Sequence, residues 1–334
     1  MTAARTEPAI VVRLNGGLGN QLFQFAAARS LAQRCRVRLI LDATAFTLPQ
    51  ERRAFALRPY PIAAEVVVNG YAFSPTRPLA MLPRPGGVSM HPHGLLDRIA
   101  YRLTKRRGLV EDATLAAVSG FRRLAGRSPG LQLRVFREDT FDYDPAFAAL
   151  GTNIYLDGYW QSYRYFDDVH DLVVRELTLP YEPNDGNAGW LDRIRTSNSV
   201  CVHVRRGDYL MSDHFSQHGV CSANYYGRAM RLMTERTVTP HFFVFSDDLD
   251  WSRRHISGDN VAFVDANSAE TAHDELKLMA SCRHHIIANS SLSWWGAWLA
   301  RHENQIVAAP DPWFSARKRT PDLFPPSWIS LPRD

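Results

Sequence analysis

Apolar and glycine-rich segments alternate along the first fifty residues. Residues 9–14 form an apolar run, and the glycine-rich stretch 15–19 follows it directly. Apolar positions then recur at helical spacing through residues 20–33, before a second apolar run at 37–41. We predict a strand, a loop, a helix and a second strand, which is how a parallel doubly wound sheet begins.

The same alternation returns in the second half of the chain, after a stretch (46–131) that is rich in proline and glycine and has no clear period. We predict strands at 200–204, 242–245, 261–264, 285–288 and 306–308, and helices at 224–234, 272–282 and 294–301. The chain is therefore predicted to be an α/β protein with two Rossmann-like domains that face a cleft. The predicted domains are 1–185 and 195–334, with a linker at 182–195.

The composition narrows the class of protein. A chain of 334 residues with 45% hydrophobic content is long enough for two hydrophobic cores. It has no apolar N-terminal region and no uninterrupted apolar run of roughly 18 residues, so we expect a cytoplasmic protein without a membrane span. The cysteines form no C-x-x-C pair, which favours free thiols in a reducing compartment; they are Cys35, Cys201, Cys221 and Cys282.

The net charge is +5, but basic side chains concentrate between residues 98 and 127. Eight arginines and lysines stand there against two acids, with apolar residues at roughly helical spacing. A solvated helix face is the simplest interpretation. The alternative is a surface for anionic lipid at the inner face of the membrane, or for a polyanionic acceptor. We expect no nucleic-acid binding, because no recognised binding motif accompanies the segment.

The glycines at positions 16, 17 and 19 allow a backbone to approach a ligand closely, and the helix after them offers its N-terminal amides to an anion. A dinucleotide site is one alternative, with Asp42 as the acid that binds the ribose. However, Leu22 occupies the position of the third glycine in the G-x-G-x-x-G pattern. A plain turn between strand and helix also remains open.

The segment 203–209, His-Val-Arg-Arg-Gly-Asp-Tyr, follows the predicted strand 200–204. The carboxyl end of a parallel strand is where doubly wound folds bind ligands. Arg205 and Arg206 can each donate two hydrogen bonds to diphosphate oxygens, although a surface salt bridge with an aspartate is the alternative. Adjacent side chains leave a strand on opposite faces, so we expect only one of the two to point into the cleft.

The segment 242–250 is another buried strand that ends in acids. Asp248 and Asp250 have the D-x-D spacing of a metal site on sugar-nucleotide phosphates. In the competing interpretation they are first-turn acids of the next helix, while Ser246 and Asp247 contact the base or the ribose. We predict no metal, because the arginine pair already supplies positive charge for a diphosphate.

The segment 286–298 predicts a strand, a turn rich in hydroxyl groups and a helix. Ser290 and Ser291 can donate to a phosphate at the helix N-terminus, and Ser293 is the predicted N-cap. Trp294 and Trp298 share a helix face, which is more often a core face than a ligand platform.

Five segments, in this order, resemble the motifs of the α-1,2-fucosyltransferase family, the bacterial type of glycosyltransferase family 11. They are residues 16–25, 155–162, 203–209, 245–248 and 289–295. Leu22, Phe25 and Leu292 depart from the residues frequent in the family, but each is an apolar replacement. The resemblance leaves mainly residues 46–135 uncovered.

This resemblance implies a GT-B-like fold whose C-terminal domain holds GDP-β-L-fucose, and inversion at the anomeric carbon without a metal or cofactor. The implied reaction transfers fucose to the 2-hydroxyl of a terminal galactoside on a surface polysaccharide or a lipid-linked oligosaccharide. An α-1,3 or α-1,6 linkage is the alternative within the class, and an NAD-dependent oxidoreductase is the alternative outside it.

The predicted catalytic residues are Arg205, Asp208 and Asn20. Arg205 is expected to stabilise the leaving phosphate, and Asp208 either accepts the acceptor proton or orients Arg205. Asp157, Asp213 and His203 are further candidates for the base. The predicted donor-binding residues are Gly17, Gly19, Asn20, His203, Arg205, Arg206, Ser246, Asp247, Asn289, Ser290 and Ser291.

Overall fold

The computed structural model describes residues 7–47, 53–68, 71–73, 133–182, 185–210, 218–300, 302–315 and 320–334. Asp213 and the basic segment 98–127 lie outside these residues. The described part of the chain contains two six-stranded sheets.

The first sheet has the strand order β4-β3-β2-β1-β6-β5, and all of its neighbouring strands are parallel except β3 and β4. Helix α1 (Leu18–Cys35) connects β1 to β2 and packs on both. The strands are β1 (Ala9–Arg13), β2 (Arg38–Asp42), β3 (Glu65–Val68), β4 (Tyr71–Phe73), β5 (Arg134–Arg137) and β6 (Ile154–Asp157).

The second sheet has the order β12-β11-β10-β7-β8-β9 and is parallel throughout. Its strands are β7 (Ser199–Val204), β8 (His241–Ser246), β9 (Val261–Phe263), β10 (His284–Ile286), β11 (Val307–Asp311) and β12 (Ile329–Pro332). The helices after α1 are α2 (His170–Glu176), α3 (Asp185–Arg195), α4 (Ala223–Arg236), α5 (Leu249–His255), α6 (Ala272–Ala280) and α7 (Ser291–Leu299).

The order of strands reverses once in each sheet, between β1 and β6 in the first and between β7 and β10 in the second. Ligands of open α/β sheets bind outside the carboxyl ends of the strands at such a reversal. Residues 14–17 and 158–161 follow β1 and β6, whereas residues 205–207 and 287–290 follow β7 and β10. The topology therefore places four of the five recognised segments at these two positions.

The α/β class with two Rossmann-like sheets, the GT-B-like arrangement, is confirmed. The predicted strands and helices of the second half are present within a few residues of their predicted bounds. The cysteines are free thiols, as predicted. The predicted linker is wrong, because residues 185–195 form α3. Leu191 and Ile194 of this helix pack with Phe243 and Leu278, so α3 belongs to the core of the second half.

One hydrophobic core continues from the first half into the second through α1 and α7. The ring of Phe23 on α1 lies 4.5 Å from that of Trp294 and 5.1 Å from that of Trp295. Trp294 and Trp298 are both buried, and their rings stack at 5.9 Å. The prediction that these two tryptophans are core residues is confirmed.

Candidate active site

The N-termini of α1 and α7 meet between the two sheets. A Cβ atom on Gly19 would lie 2.4 Å from the amide nitrogen of Leu292 and 2.6 Å from Oγ of Ser291. Glycine at this position is therefore required for the contact between the two helices. Gly17, in contrast, has an ordinary φ of −75°, and a methyl group added to it would meet no atom within 4 Å. The predicted donor contacts of both glycines stay predictions.

Asn20 joins the two loops at the strand reversal of the first sheet. Its Oδ1 accepts a hydrogen bond from Nε2 of Gln161 at 3.0 Å. Gln24, one turn further along α1, donates from Nε2 to the carbonyl of Gly158 at 3.2 Å and accepts from the amide of Asn15 at 3.0 Å. The motif 16–25 therefore positions the loop after β6 as well as the loop after β1.

Asp247 organises the loop that follows β7. Its carboxylate accepts hydrogen bonds from the amides of Arg206 (2.8 Å) and Gly207 (3.1 Å), and it forms an ion pair with the Arg205 guanidinium at 3.1 Å. Three donors thus converge on the group that we predicted to contact the base or the ribose. Guanine recognition by Asp247 stays a prediction. Its carboxylate already binds the loop after β7 and the Arg205 guanidinium.

Arg206 points toward α5 instead. Its guanidinium lies 4.1 Å from the ring centroid of Trp251, and its Nε lies 3.5 Å from Oδ2 of Asp248. Arg205 has a different environment, with the ring of Tyr209 at 5.8 Å and the Asp247 carboxylate beside it. The two adjacent arginines therefore separate, as expected for neighbours at the end of a strand.

The D-x-D acids belong to the start of α5. Asp248 is the N-cap and accepts from the amide of Trp251 at 3.0 Å, and Asp250 lies in the first turn. Ser246 accepts from the amide of Asp248 at 2.9 Å. Within the described residues, no group of three or more His, Cys, Asp or Glu side chains is arranged to hold a metal ion. The geometry is that of the helix-cap interpretation.

Glu275 on α6 is a residue that the sequence did not single out. Burial raises the pKa of its carboxyl group to about 7, with Arg205 opposing the shift and Asp247 adding to it. Its carboxylate has no hydrogen bond to any residue in the described part of the chain. In the sequence, Asp274 and Glu275 follow the pattern of first-turn acids of a helix, so no local signal distinguished Glu275.

Asn289 holds the turn between β10 and α7 from the inside. Its Nδ2 lies within hydrogen-bond distance of three carbonyl oxygens, and it is 1% exposed. The acceptors are His218 (2.9 Å), Gly219 (3.2 Å) and Trp313 (3.2 Å). The side-chain amide of Asn289 is thus directed into the protein. A contact between Asn289 and the sugar-nucleotide donor stays a prediction.

Ser290 and Ser291 stand at the N-terminus of α7, at the strand reversal of the second sheet. Ser290 is the N-cap and Ser291 the first helical residue. The prediction that Ser293 is the N-cap is wrong. Its hydroxyl lies inside the first turn and accepts from the amide of Ala288 at 2.9 Å.

The candidate bases differ in their availability. Asp157 accepts from Arg13 at 3.3 Å and from Arg137 at 3.2 Å, so both of its oxygens are engaged. His203 is 2% exposed, and burial, with Arg205 adding to it, lowers its pKa to about 3. Asp208 begins a short 3-10 turn, Asp208–Leu210, and its side chain is outside the described part of the structure.

The strand reversal of the second sheet thus combines the Arg205 guanidinium, which Asp247 holds, with two hydroxyl groups and the N-terminus of α7. Positive charge, hydroxyl donors and helix amides are groups that bind anions in proteins. The family model "Glycosyl transferase family 11" matches residues 138–332 of this chain. The chain belongs to glycosyltransferase family 11. It is therefore an enzyme that works on a sugar donor and a glycan acceptor.

The two bacterial relatives cover nearly the whole chain, and a mammalian relative covers about half of it. An α-1,2-colitosyltransferase of Escherichia coli is 30% identical over 96% of this chain and 98% of its own length. The O-antigen biosynthesis glycosyltransferase WbnK of Escherichia coli is 27% identical over 95% and 99%. Galactoside α-(1,2)-fucosyltransferase 2 of Bos taurus is 29% identical over 55% and 57%. The family resemblance predicted from the motifs is confirmed.

A helix that crosses a bilayer needs about 20 predominantly apolar residues. Among the described residues, no helix is both long enough and apolar enough to cross a membrane.

Proposed function

We propose that this enzyme transfers L-fucose from GDP-β-L-fucose to the 2-hydroxyl of a terminal galactoside, with inversion at the anomeric carbon. The observation that carries the proposal is the Arg205 guanidinium, held by Asp247 at the strand reversal beside the N-terminus of α7. The activities of the relatives, α-1,2 transfer of colitose or fucose, support the linkage.

The leaving group of this reaction is GDP, on whose β-phosphate negative charge develops as the bond to fucose breaks. Arg205 donates to that phosphate, and Ser290 and Ser291 donate from the start of α7. Because Asp247 and the ring of Tyr209 already fix Arg205, little reorganisation is needed in the transition state.

The acceptor hydroxyl must lose a proton as it attacks the anomeric carbon. Asp157 is held by two arginines, and His203 is buried with a lowered pKa. We therefore propose Asp208 or Asp213 as the base, with Asn20 binding near the reacting groups. Asp208 lies two residues after the arginine pair, so it is close in sequence to the residue that we propose binds the leaving group.

Donor and linkage are tested together by incubation with GDP-fucose and a β-galactoside, followed by measurement of GDP release and linkage analysis of the product. We expect an α-1,2-linked fucoside. An α-1,3 or α-1,6 product contradicts the linkage, and absence of GDP release contradicts the donor.

Colitose is a second candidate for the transferred sugar, because the E. coli relative at 30% identity is a colitosyltransferase. Colitose is fucose without the 3-hydroxyl. A competition between GDP-fucose and GDP-colitose at equal concentration decides between them, and preferred transfer of colitose overturns the fucose proposal.

The acceptor is proposed to be a surface polysaccharide or a lipid-linked oligosaccharide, assembled on the cytoplasmic side of the membrane. The name of WbnK, an O-antigen biosynthesis enzyme, supports a glycan of this kind.

We expect activity to survive chelation, because the Arg205 guanidinium and the N-terminus of α7 take the place of a cation at the diphosphate. The rate measured in excess EDTA should equal the rate without it. Loss of turnover in EDTA that manganese restores would make Asp248 and Asp250 metal ligands and contradict this proposal.

Glu275 and Asp247 both lie near Arg205, and the carboxylate of either can accept hydrogen bonds from N1–H and N2–H₂ of guanine. The Asp247 carboxylate already accepts hydrogen bonds from the loop 205–207. We therefore propose that Glu275 recognises the guanine base. Glu275→Gln should weaken GDP binding roughly tenfold to hundredfold, with little effect on ADP or UDP. Asp247→Asn should weaken all three nucleotides, because it disturbs the shared diphosphate loop. Titration calorimetry measures each affinity. If Asp247→Asn weakens the binding of GDP but not of ADP or UDP, Asp247 and not Glu275 recognises guanine.

The pH dependence provides a further check on the same residue. Burial raises the pKa of Glu275 to about 7, and only the ionised carboxylate accepts both guanine hydrogen bonds. GDP affinity should therefore increase as the pH rises through 7. This rise in GDP affinity should be absent in Glu275→Gln. If the variant shows the same rise as the native enzyme, a group other than Glu275 causes it.

A further inference from the structure

A row of five aromatic rings leads from the loop after β6 to Arg205. Tyr159 stacks on Phe141 with centroids 6.5 Å apart and planes at 17°, and Phe141 lies 4.9 Å from Phe314. Phe314 lies 5.5 Å from His218, which in turn stacks on Tyr209 at 4.8 Å and 20°. Tyr209 is the ring beside the Arg205 guanidinium. We call these five residues the aromatic row.

The outer end of the aromatic row is accessible. Tyr159 is 40% exposed, although it lies between the largely buried strand β6 and the fully buried Trp160. The inner part of the row is covered, with Phe314 only 5% exposed. The row therefore ends in an exposed ring, at the strand reversal of the first sheet.

A strained turn holds Tyr159 in this position. Trp160 has a φ of +57°, which is rare for a bulky side chain and costs of order 1–3 kcal/mol. The Glu138 carboxylate accepts from the amide of Tyr159 at 2.6 Å and from that of Trp160 at 3.0 Å. A Cβ atom on Gly158 would lie 2.5 Å from Cβ of Glu138, so only glycine fits before Tyr159. The turn buries Trp160 and leaves Tyr159 at the surface.

We propose that Tyr159, supported by Phe141, is the stacking platform for the terminal pyranose of the acceptor. This inference rests on the proposed function. The electron-rich face of an aromatic ring attracts the weakly positive C–H groups of a sugar. In a galactopyranose the axial 4-hydroxyl leaves the C–H groups at positions 3, 4 and 5 together on the opposite face, which matches a flat ring. The aromatic row connects this platform to the arginine at the leaving group.

The test compares Tyr159→Ala with Tyr159→Phe, which keeps the ring. Val135→Ala is the matched control, because Val135 is 39% exposed and lies on β5 outside the row. With GDP-fucose and lactose, Tyr159→Ala should raise the KM for lactose about tenfold while the KM for GDP-fucose stays unchanged. Tyr159→Phe should restore the native KM for lactose because the ring remains, whereas Val135→Ala should behave like the native enzyme. Melting temperatures show that each variant is folded.

Binding of lactose to the GDP complex separates this inference from the proposed function. In saturation-transfer NMR, the protons at positions 3, 4 and 5 of the galactose should receive the strongest transfer, and Tyr159→Ala should abolish it. If no fucose is transferred but lactose binding still depends on Tyr159, the proposed function fails and the platform stands. If lactose binds equally well to Tyr159→Ala, or if the donor KM changes instead, the platform is overturned.

Discussion

Replacement of Arg205 by lysine is expected to lower kcat at least about tenfold with little change in melting temperature. Lysine keeps the positive charge, but it loses the planar group that can donate to two oxygens at once. The native guanidinium is fixed by Asp247 at 3.1 Å, whereas a lysine ammonium on a flexible stem must be ordered during the reaction. Steady-state kinetics at saturating donor and acceptor measures the effect.

Arg206→Lys is the matched variant, since it makes the same change one residue away. The Arg206 guanidinium packs on Trp251 and faces the acid that caps α5. A lysine side chain cannot stack on the ring as the planar guanidinium does. The free energy of unfolding should therefore fall by about 1 kcal/mol, with only a small change in kcat. If Arg206→Lys is the variant that loses kcat while Arg205→Lys keeps it, the two roles are exchanged.

Gly19→Ala is expected to disrupt both folding and activity. The added methyl group would lie 2.4 Å from a backbone nitrogen and 2.5 Å from a backbone carbon of α7, neither of which can rotate away. Relief of the clash requires α1 and α7 to separate, at a cost of about 3 kcal/mol. Since displacement of an active site by about 1 Å can cost roughly 100-fold in rate, kcat should fall by a similar factor.

Gly17→Ala provides the control for this experiment. It is two residues away in the same motif, its φ suits any residue, and a methyl group there meets no atom within 4 Å. Thermal unfolding should show a lower melting temperature for Gly19→Ala alone. Equal stability of the two variants would mean that α1 and α7 do not touch at Gly19.

Ligand contact and structural constraint produce similar sequence signals, and the structural constraint becomes visible only in three dimensions. Gly19 and Asn289 are predicted to bind the donor; in the structure Gly19 also allows two helices to touch, and Nδ2 of Asn289 lies within hydrogen-bond distance of three carbonyl oxygens of its own chain. Asp248 resembled a metal ligand and is a helix cap. Each of these residues lies near the site, which explains why its motif is recognisable.

The sequence by itself determined the α/β class, most strands of the second half and the family, because periodicity and short ordered motifs are local properties of the chain. It also located Arg205 and Arg206, which follow a strand that is buried throughout. Only the tertiary structure decided that α3 joins the second core, that Glu275 lies close enough to Arg205 for their charges to interact, and that Tyr159 begins a row of rings reaching both halves. These features depend on contacts between residues far apart in the chain, and packing between sheets and helices sets such contacts without leaving a local pattern.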